Sequence, residues 1–399
     1  MTAAIPAIER VLDEGRREGV APALCAAVRR GGALVHASWH GEIPVPDPAA
    51  ASGQVTRKLG RDDLFDVASL TKVMATATIA AQLAAEGALD LDAPVAARLG
   101  GFDAGGKGAV TARHLLAHSS GLPWWKPWFE AARADPVARA AFLPPADRPA
   151  FAGLRVAFRR GRELVRAAAL AEPLEAPPGT RAVYSDPGFI ALGLLVEELA
   201  GAPISALFEE RIARPLRLGS TFFLDGLDPE RGWRRAEVRA FAPTERCEHR
   251  GEVNQGAVND DNAWAMGGAA GHAGLFSTAD DVAAFGQAWL DALRGRPSIV
   301  RAAQAAAFAR RDPTPGSTRA LGWDTPSAQG SSLGTRLGRG ARGAIGHLGF
   351  TGTSLWIDVD ADVVVALLTN RVHPSRENEK IRAFRPRFHD AVADALGIG

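Results

Sequence analysis

The sequence predicts an α+β fold: an antiparallel sheet built from strands at both ends of the chain and flanked by helices, plus a mostly helical lobe. Three observations carry this. Residues 23–30 and 33–39 are strand-like runs joined at Gly31-Gly32, a hairpin signal. Residues 354–359 and 363–369 are two further apolar, strand-like runs near the other end. The chain between is rich in Ala, Leu and Arg and holds several helix-length segments. Early and late strands can therefore share one sheet. The predicted division is 1–68 with 300–399 as the sheet lobe and 69–299 as the helical lobe, one intertwined unit.

Taken in order, residues 5–19 read as a short amphipathic helix and 41–61 as a Pro/Gly-containing connector. Phe65 opens a central helix that runs to Gly87, a plausible stop. Its apolar residues occupy nearly every face, the mark of a buried helix. Residues 89–108 are loop-like and 111–118 a short helix. Residues 124–178 are Arg-, Ala- and Pro-rich and helical between breaks. They open with Trp124, Trp125, Trp128 and Phe129, either a packed aromatic cluster or a hydrophobic lid beside a cleft. An apolar helix spans 189–200. Residues 252–274 form a polar, Gly-rich loop with Asp260, Asp261 and His272, read as lining a cleft. Ser277 with Asp280 three residues on is a capping signal for a helix through 293. Residues 313–343 read as a mobile loop, and 377–396 as a last helix that packs, like the first, on the sheet.

Composition narrows the function classes. At 399 residues, 47% hydrophobic and 23% charged, the chain is ordinary for a globular protein. A formal net charge of +1 gives no reason to expect nucleic acid or an anionic membrane as a partner. Cys25 and Cys247 are too few and too far apart for a disulfide framework. The first ten residues carry neither a basic nor a long apolar region. The expectation is a cytoplasmic protein, or a periplasmic one if the true N-terminus lies further upstream. Oligomeric state is left open.

The chemistry centres on Ser69 and Lys72, set into the first turn of the central helix. At i and i+3 they share a face, so hydroxyl and amine can meet. Burial disfavours the ammonium and lowers a lysine pKa. A neutral amine beside a hydroxyl is a general base beside a nucleophile. The helix N-terminus adds free N–H groups where an oxyanion could be held. Two later stretches supply partners. Tyr184, the chain's only tyrosine, lies in the turn-rich loop 178–188 that also holds Asp186. A phenol held against a lysine can be partly ionised and can relay protons. Gly346-His347-Leu348-Gly349-Phe350 precedes the C-terminal strands, and its glycines let a substrate approach a strand edge.

These three pieces in this order resemble the serine β-lactamases and penicillin-binding proteins, and most closely the class C β-lactamase branch with its D-alanyl-D-alanine carboxypeptidases and esterases. The pattern Ser-x-x-Lys, Tyr-x-Asn, Lys/His-Thr-Gly stands here as Ser69-Leu70-Thr71-Lys72, Tyr184-Ser185-Asp186 and His347-Leu348-Gly349. Residues 111–123, 214–221 and 274–281 also look like this branch, so the likeness covers nearly the whole chain. It implies a β-lactamase/transpeptidase-like fold with the site between the lobes. It implies Ser69, Lys72 and Tyr184 as catalytic residues, and the N–H groups of Ser69 and Phe350 as an oxyanion hole. It further implies Asp186, His347, Leu348 and Gly349 as substrate-binding or tuning residues, with a small-molecule substrate and no cofactor or metal. Two departures stand out. Asp186 replaces Asn, and Leu348 replaces a Thr whose hydroxyl helps hold a substrate carboxylate. They favour an esterase-like serine hydrolase over a β-lactamase or D-alanyl-D-alanine carboxypeptidase. A catalytically weak penicillin-binding receptor is the reading from a different class.

Other motifs carry less. Gly330-Ser331-Ser332-Leu333-Gly334 matches a nucleophile elbow but sits in a Gly/Ser loop rather than after a strand. Residues 101–107 mimic a phosphate loop, yet Gly108 follows Lys107 where Ser or Thr is needed. His114 and His118 have zinc-like spacing without the accompanying glutamate.

Overall fold

The computed structural model describes residues 4–47, 49, 50, 53–228, 230 and 239–398. Its strands are β1 (Ala23–Arg30), β2 (Ala33–Pro46), β3 (Gln54–Lys58), β4 (Phe65–Asp66), β5 (Phe222–Phe223), β6 (Arg246–Cys247), β7 (Glu252–Val253), β8 (Leu275–Ser277), β9 (Ala344–Leu348), β10 (Ser354–Asp358) and β11 (Val363–Thr369). Six of them form one antiparallel sheet in the order β3-β2-β1-β11-β10-β9. Strand β11 is buried at every position, which a central, two-sided strand requires. The N- and C-terminal strands therefore meet as expected, with Leu24 opposite Thr369 and Val28 opposite Val365.

The period of two along β1 sorts its side chains between two cores. Leu24, Ala26 and Val28 face Ile8, Leu12, Phe384 and Phe388 of the terminal helices Pro6–Arg17 and Ile381–Ala395. Cys25 and Ala27 face the larger core, which runs through the helix Ala279–Leu293 into the helical lobe. That helix packs on β1, β10 and β11, although the sequence division at 299 places it with the helical lobe.

Several boundaries differ from the sequence reading. The expected connector 41–61 is mostly strand: β2 continues to Pro46 and pairs with β3. Pro44 and Pro46 are tolerated because this ribbon is the sheet's edge, and all of β3 is exposed. Phe65 does not open a helix. Phe65 and Asp66 pair with Ser277 and Phe276 of β8, and helical backbone begins only after Ala68, a non-glycine residue at φ 49°. A π-helical segment Lys72–Ala77 follows and passes into the α-helix Thr78–Ala85. The helix Ala279–Leu293 is capped one residue later than expected. Thr278 accepts the Asp281 N–H, while the Ser277 hydroxyl meets Thr221 at 2.7 Å. The last helix begins at Ile381 rather than 377. Residues 313–343 are irregular but anchored, with Trp323 fully buried against Phe285 and Trp289. Among the described residues no single helix is long and apolar enough to cross a membrane.

The helical lobe is locked to the central helix at a glycine contact. Gly193, on the helix Asp186–Ala200, lies against Gly271, and a Cβ on Gly193 would come 2.7 Å from the Gly271 Cα. The Gly271 carbonyl in turn accepts the Thr76 hydroxyl at 2.6 Å. Gly193→Ala should therefore force backbone apart and destabilise the protein by about 1–3 kcal/mol, the usual range for overpacking. Urea unfolding measures this, and a change under about 0.5 kcal/mol would show that the contact is not tight.

Candidate active site

Ser69 sits where strand turns into helix, and the chain is held there by buried polar groups. Asp66 accepts the Ala68 N–H at 2.8 Å through one carboxylate oxygen and the Asn259 N–H at 2.6 Å through the other. This braces the left-handed Ala68, a conformation that persists only when its surroundings enforce it. Burial raises the Asp66 pKa to about 6 despite those two N–H groups. From the other side, Thr351 and Thr353 donate to the carbonyls of Asp66 and Val67 at 2.8 and 3.0 Å. The turn after His347-Leu348 is thereby tied onto the turn before Ser69. The backbone N–H groups of Ser69 and Phe350 find no acceptor among the described residues, and both residues line one cleft.

Lys72 has no exposed surface. Its Nζ lies 2.9 Å from Ser69 Oγ, 3.0 Å from the His272 carbonyl and 2.7 Å from an Asp186 carboxylate oxygen. The last contact is an ion pair rather than an aligned hydrogen bond. The Tyr184 hydroxyl interacts with both Lys72 and Ser69. Ser69 Oγ and the His272 carbonyl accept from it, and the Asp186 carboxylate sits against it as a counter-ion, a setting made for an ammonium. This corrects the expectation of a neutral amine. Burial is the largest single influence on Lys72 and acts to lower its pKa, but Asp186 and Tyr184 together outweigh it, and the net shift is upward. Tyr184 is itself moved up by burial, against the pull of Lys72, and stays a neutral phenol. Asp186, the residue that departs from the family pattern, supplies the largest upward pull on Lys72.

The Tyr184 ring is held on several sides. His118, at φ 56°, stacks on it at 4.6 Å and accepts the Ser185 N–H on Nδ1 at 3.0 Å. Ser185 caps the helix Asp186–Ala200 by accepting the Gly188 N–H. The Arg319 guanidinium lies 5.2 Å from the Tyr184 ring centre, and the His347 ring 6.0 Å from it. His347 is buried, and its Nδ1–H donates to the Leu348 carbonyl at 2.9 Å, which leaves Nε2 as the bare nitrogen. Burial, then Lys72 and Arg319, drive its pKa well below the usual histidine value. Burial and these two cations therefore disfavour an imidazolium that could stand in for the family's lysine.

Positive charge comes instead from residues that the motifs do not contain. Arg385 is buried and donates through one nitrogen to the carbonyls of Gly349 and Thr353, at 3.0 and 2.9 Å. No carboxylate lies within ion-pair distance of it among the described residues. Burial and Arg371 lower its pKa to about 9. The Gly349 carbonyl belongs to the same peptide as the Phe350 N–H, so the guanidinium polarises that donor. Arg371 donates to the Phe350 carbonyl at 2.9 Å and lies 4.7 Å over its ring. One signal in the sequence did mark Arg385: with Ile381, Phe384 and Phe388 it falls on the apolar stripe of the last helix.

The cleft has a volume of about 900 Å³. Leu348, Gly349, Phe350, Trp124, Trp125 and Phe129 line it; of the aromatic stretch, Trp128 and Phe129 join the core while Trp124 stays exposed at the cleft. Asp260, Asp261 and His272 also line it, as expected of a polar loop. Asp260 accepts from His272 at 2.8 Å and caps the helix Asp261–Ala265, while Asp261 pairs with Arg250. Burial pushes the Asp260 carboxyl up, but His272, the Ala263 N–H and Lys72 outweigh it and hold the pKa at about 2.

The remaining motifs fall elsewhere. Ser332 does not line the cleft, and its neighbour Leu333 packs against the terminal helices. Lys107 is buried and donates to the carbonyls of Ala104 and Glu172. His114 completes a capping box with Thr111. Among the described residues no group of three or more His, Cys, Asp or Glu could hold a metal ion.

A family model described as "Beta-lactamase" matches residues 7–386. The "N-acetylmuramyl-L-alanine amidase" of Bacillus subtilis (strain 168) is 31% identical over 336 residues, 79% of this chain and 70% of that protein. Two solved structures align over nearly the whole chain. "EstCE1, a hydrolase with promiscuous acyltransferase activity" has a TM-score of 0.67 at 21% identity and covers 97% of each chain. A penicillin-binding protein homologue from Caulobacter crescentus has a TM-score of 0.68 at 20% identity and covers 98% of this chain and 97% of its own. At such identities these two structures speak for the fold.

The geometry around Phe350 generates one expectation whatever the acyl substrate. Arg385→Met should remove the charge behind the Phe350 N–H and lower kcat by ~10–100-fold, the scale of a hydrogen bond to a charged group. KM should change less than about threefold, since the effect acts on developing charge. An equal rise in KM with kcat unchanged would assign Arg385 to substrate binding instead.

Proposed function

This chain belongs to the β-lactamase family, and on that footing we propose that it is a serine hydrolase that works through an acyl-enzyme. One observation carries the reading. A serine hydroxyl lies 2.9 Å from a fully buried lysine nitrogen, in a cleft where two backbone N–H groups have no acceptor among the described residues. Ser69 Oγ attacks the substrate carbonyl, and its proton passes to Lys72 once that ammonium has given up one of its own. The N–H groups of Ser69 and Phe350 receive the oxyanion. Collapse expels the leaving group, which takes a proton through Tyr184. Water then attacks the acyl-enzyme, its proton follows the same route, and Ser69 is released.

The favoured substrates are small esters. Leu348 offers apolar surface where a threonine would offer a hydroxyl, and Trp124, Trp125, Phe129 and Phe350 extend that surface along the cleft. A carboxylate desolvated against such a wall without a partner loses binding energy. A second reading has one observation in its favour. Arg319 lines the cleft beside Tyr184, and its contact with Asp324 is a loose 3.5 Å. It could accept the carboxylate of a D-Ala-D-Ala peptide or a β-lactam.

Two measurements test these readings. Fluorophosphonate should label Ser69 alone, and Ser69→Ala should lower kcat by about four orders of magnitude or more. A label on Ser332, or turnover that survives in Ser69→Ala, would overturn the nucleophile assignment. A stable penicillin adduct with no turnover of any ester would instead mark a receptor. For specificity, kcat/KM is compared for p-nitrophenyl butyrate, nitrocefin and a D-Ala-D-Ala peptide. The ester should lead, and Leu348→Thr should shift the ratio toward the carboxylate-bearing substrates by ~1–2 kcal/mol. A wild-type preference for nitrocefin or the peptide by an order of magnitude would favour the reading through Arg319.

A further inference from the structure

We propose that Asp186 is the proton acceptor of the reaction: Lys72 and Asp186 act as one couple, in which Lys72 hands a proton to the Asp186 carboxylate as it takes one from Ser69. The inference rests on Ser69 as nucleophile. Its starting point is a geometric difficulty. The Lys72 ammonium donates to Ser69 Oγ and the His272 carbonyl at 2.9 and 3.0 Å and has an Asp186 oxygen as its counter-ion at 2.7 Å. A cation so satisfied cannot receive a proton until it loses one. The His272 carbonyl cannot accept a proton covalently, and Tyr184 already holds its own. Among the described residues, the carboxylate at 2.7 Å is the one base in contact with Lys72.

The surroundings bear on where that proton rests. Asp186 stands in the first turn of the helix Asp186–Ala200. Lys72 is enclosed by Phe189 at 5.7 Å and Tyr184, with His118 and His347 beyond them, both driven neutral by burial. The charges that face the couple are Arg319 across the Tyr184 ring, Asp260 behind His272 and Asp66 beneath the Ser69 turn. The side chain of Asp186 keeps 16% of its surface open to the cleft and Lys72 none. A bound substrate would cover that opening. Removal of water from an ion pair penalises the two charges and favours the neutral amine and neutral acid. Substrate binding would thus prepare the base.

The steps balance. The Ser69 O–H proton goes to Lys72, a Lys72 proton goes to Asp186, the Ser69 Oγ–C bond forms and the carbonyl oxygen takes the electron pair. On collapse the C–O bond to the leaving alkoxide breaks, and the proton returns from Asp186 through Lys72 and Tyr184 to that alkoxide. Deacylation repeats the cycle with water in place of Ser69 and Ser69 as the leaving group.

The test is the pH profile of kcat/KM with p-nitrophenyl butyrate for wild type, Asp186→Asn and Asp186→Glu, with fluorophosphonate labelling of Ser69 in each. In the wild type the couple is ready at neutral pH, so activity should fall only on the acid side of neutrality. Asp186→Asn leaves a buried lysine that must be deprotonated by solvent, so the limb should move to higher pH by at least one pH unit. Asp186→Glu restores a carboxylate and should return the limb toward the wild-type position. If Asp186 merely anchors a cation that must titrate on its own, the wild-type limb lies in the alkaline range and Asp186→Asn moves it down. A limb that stays in place or moves down, with Ser69 still labelled, overturns the couple. Failure of Ser69 to label in the wild type removes the nucleophile reading itself, and the couple with it.

Discussion

The buried ammonium of Lys72 is the constraint on which the site depends. A cation without exposed surface is tolerable only when polar partners and a counter-ion surround it. Those partners come from parts of the chain far apart in sequence: Ser69 from the same turn, Asp186 from the mouth of a second helix, and the His272 carbonyl from a glycine-rich loop. Loss of one partner from such a buried group typically costs about 3–5 kcal/mol. That is a large share of a domain's usual net stability of about 5–15 kcal/mol. The three segments are therefore held in register by the charge as well as by the apolar core. The glycine contact between Gly193 and Gly271 is the steric counterpart, since only bare backbone lets the loop reach the nitrogen.

A second set of contacts fixes the opposite wall. Thr351 and Thr353 hook the turn after β9 onto Asp66 and Val67, and Arg385 clamps the same turn from behind. The nucleophile turn and the Phe350 turn thus share hydrogen bonds, and their two free N–H groups cannot drift independently. Both ends of the chain serve this purpose. The terminal helices do more than cover the sheet, because one of them carries the guanidinium that polarises the Gly349-Phe350 peptide.

Much of this was legible in the sequence, for reasons that local chemistry explains. Gly31-Gly32 dictates a hairpin, the unbroken apolar run of β11 dictates a central strand, and a lysine three residues after a serine on a buried segment announces a meeting of the two. What stayed hidden depended on partners from elsewhere. Lys72 could not be assigned its charge from its own helix, because burial and Asp186 pull in opposite directions and only distance decides between them. Phe65 and Asp66 read as helix until β8 supplies a strand to pair with. Thr278 and Ser277 are equally good caps on paper, and the Ser277 hydroxyl is withdrawn by Thr221. Arg319 lay in a stretch that read as a mobile loop, which Trp323 pins from below.

The charges that the motifs omit also have a direction. On the nucleophile's side the cleft presents carboxylates, with Asp186 against Lys72 and Asp260 against His272. On the far side, behind the Phe350 N–H, stand Arg385 and Arg371, neither with an acid within ion-pair distance among the described residues. An acyl carbonyl placed between them would have its oxygen toward the guanidinium groups and its carbon toward Ser69. A field of that orientation does little for a neutral ester but stabilises the oxygen as it gains charge. Because the arginines are buried, water and salt screen them weakly. The pair of departures at Asp186 and Leu348 then belongs to one pattern. On the reading proposed above, the site carries its proton-accepting charge next to the lysine and its oxyanion-stabilising charge behind the backbone, and it keeps the wall at Leu348 apolar.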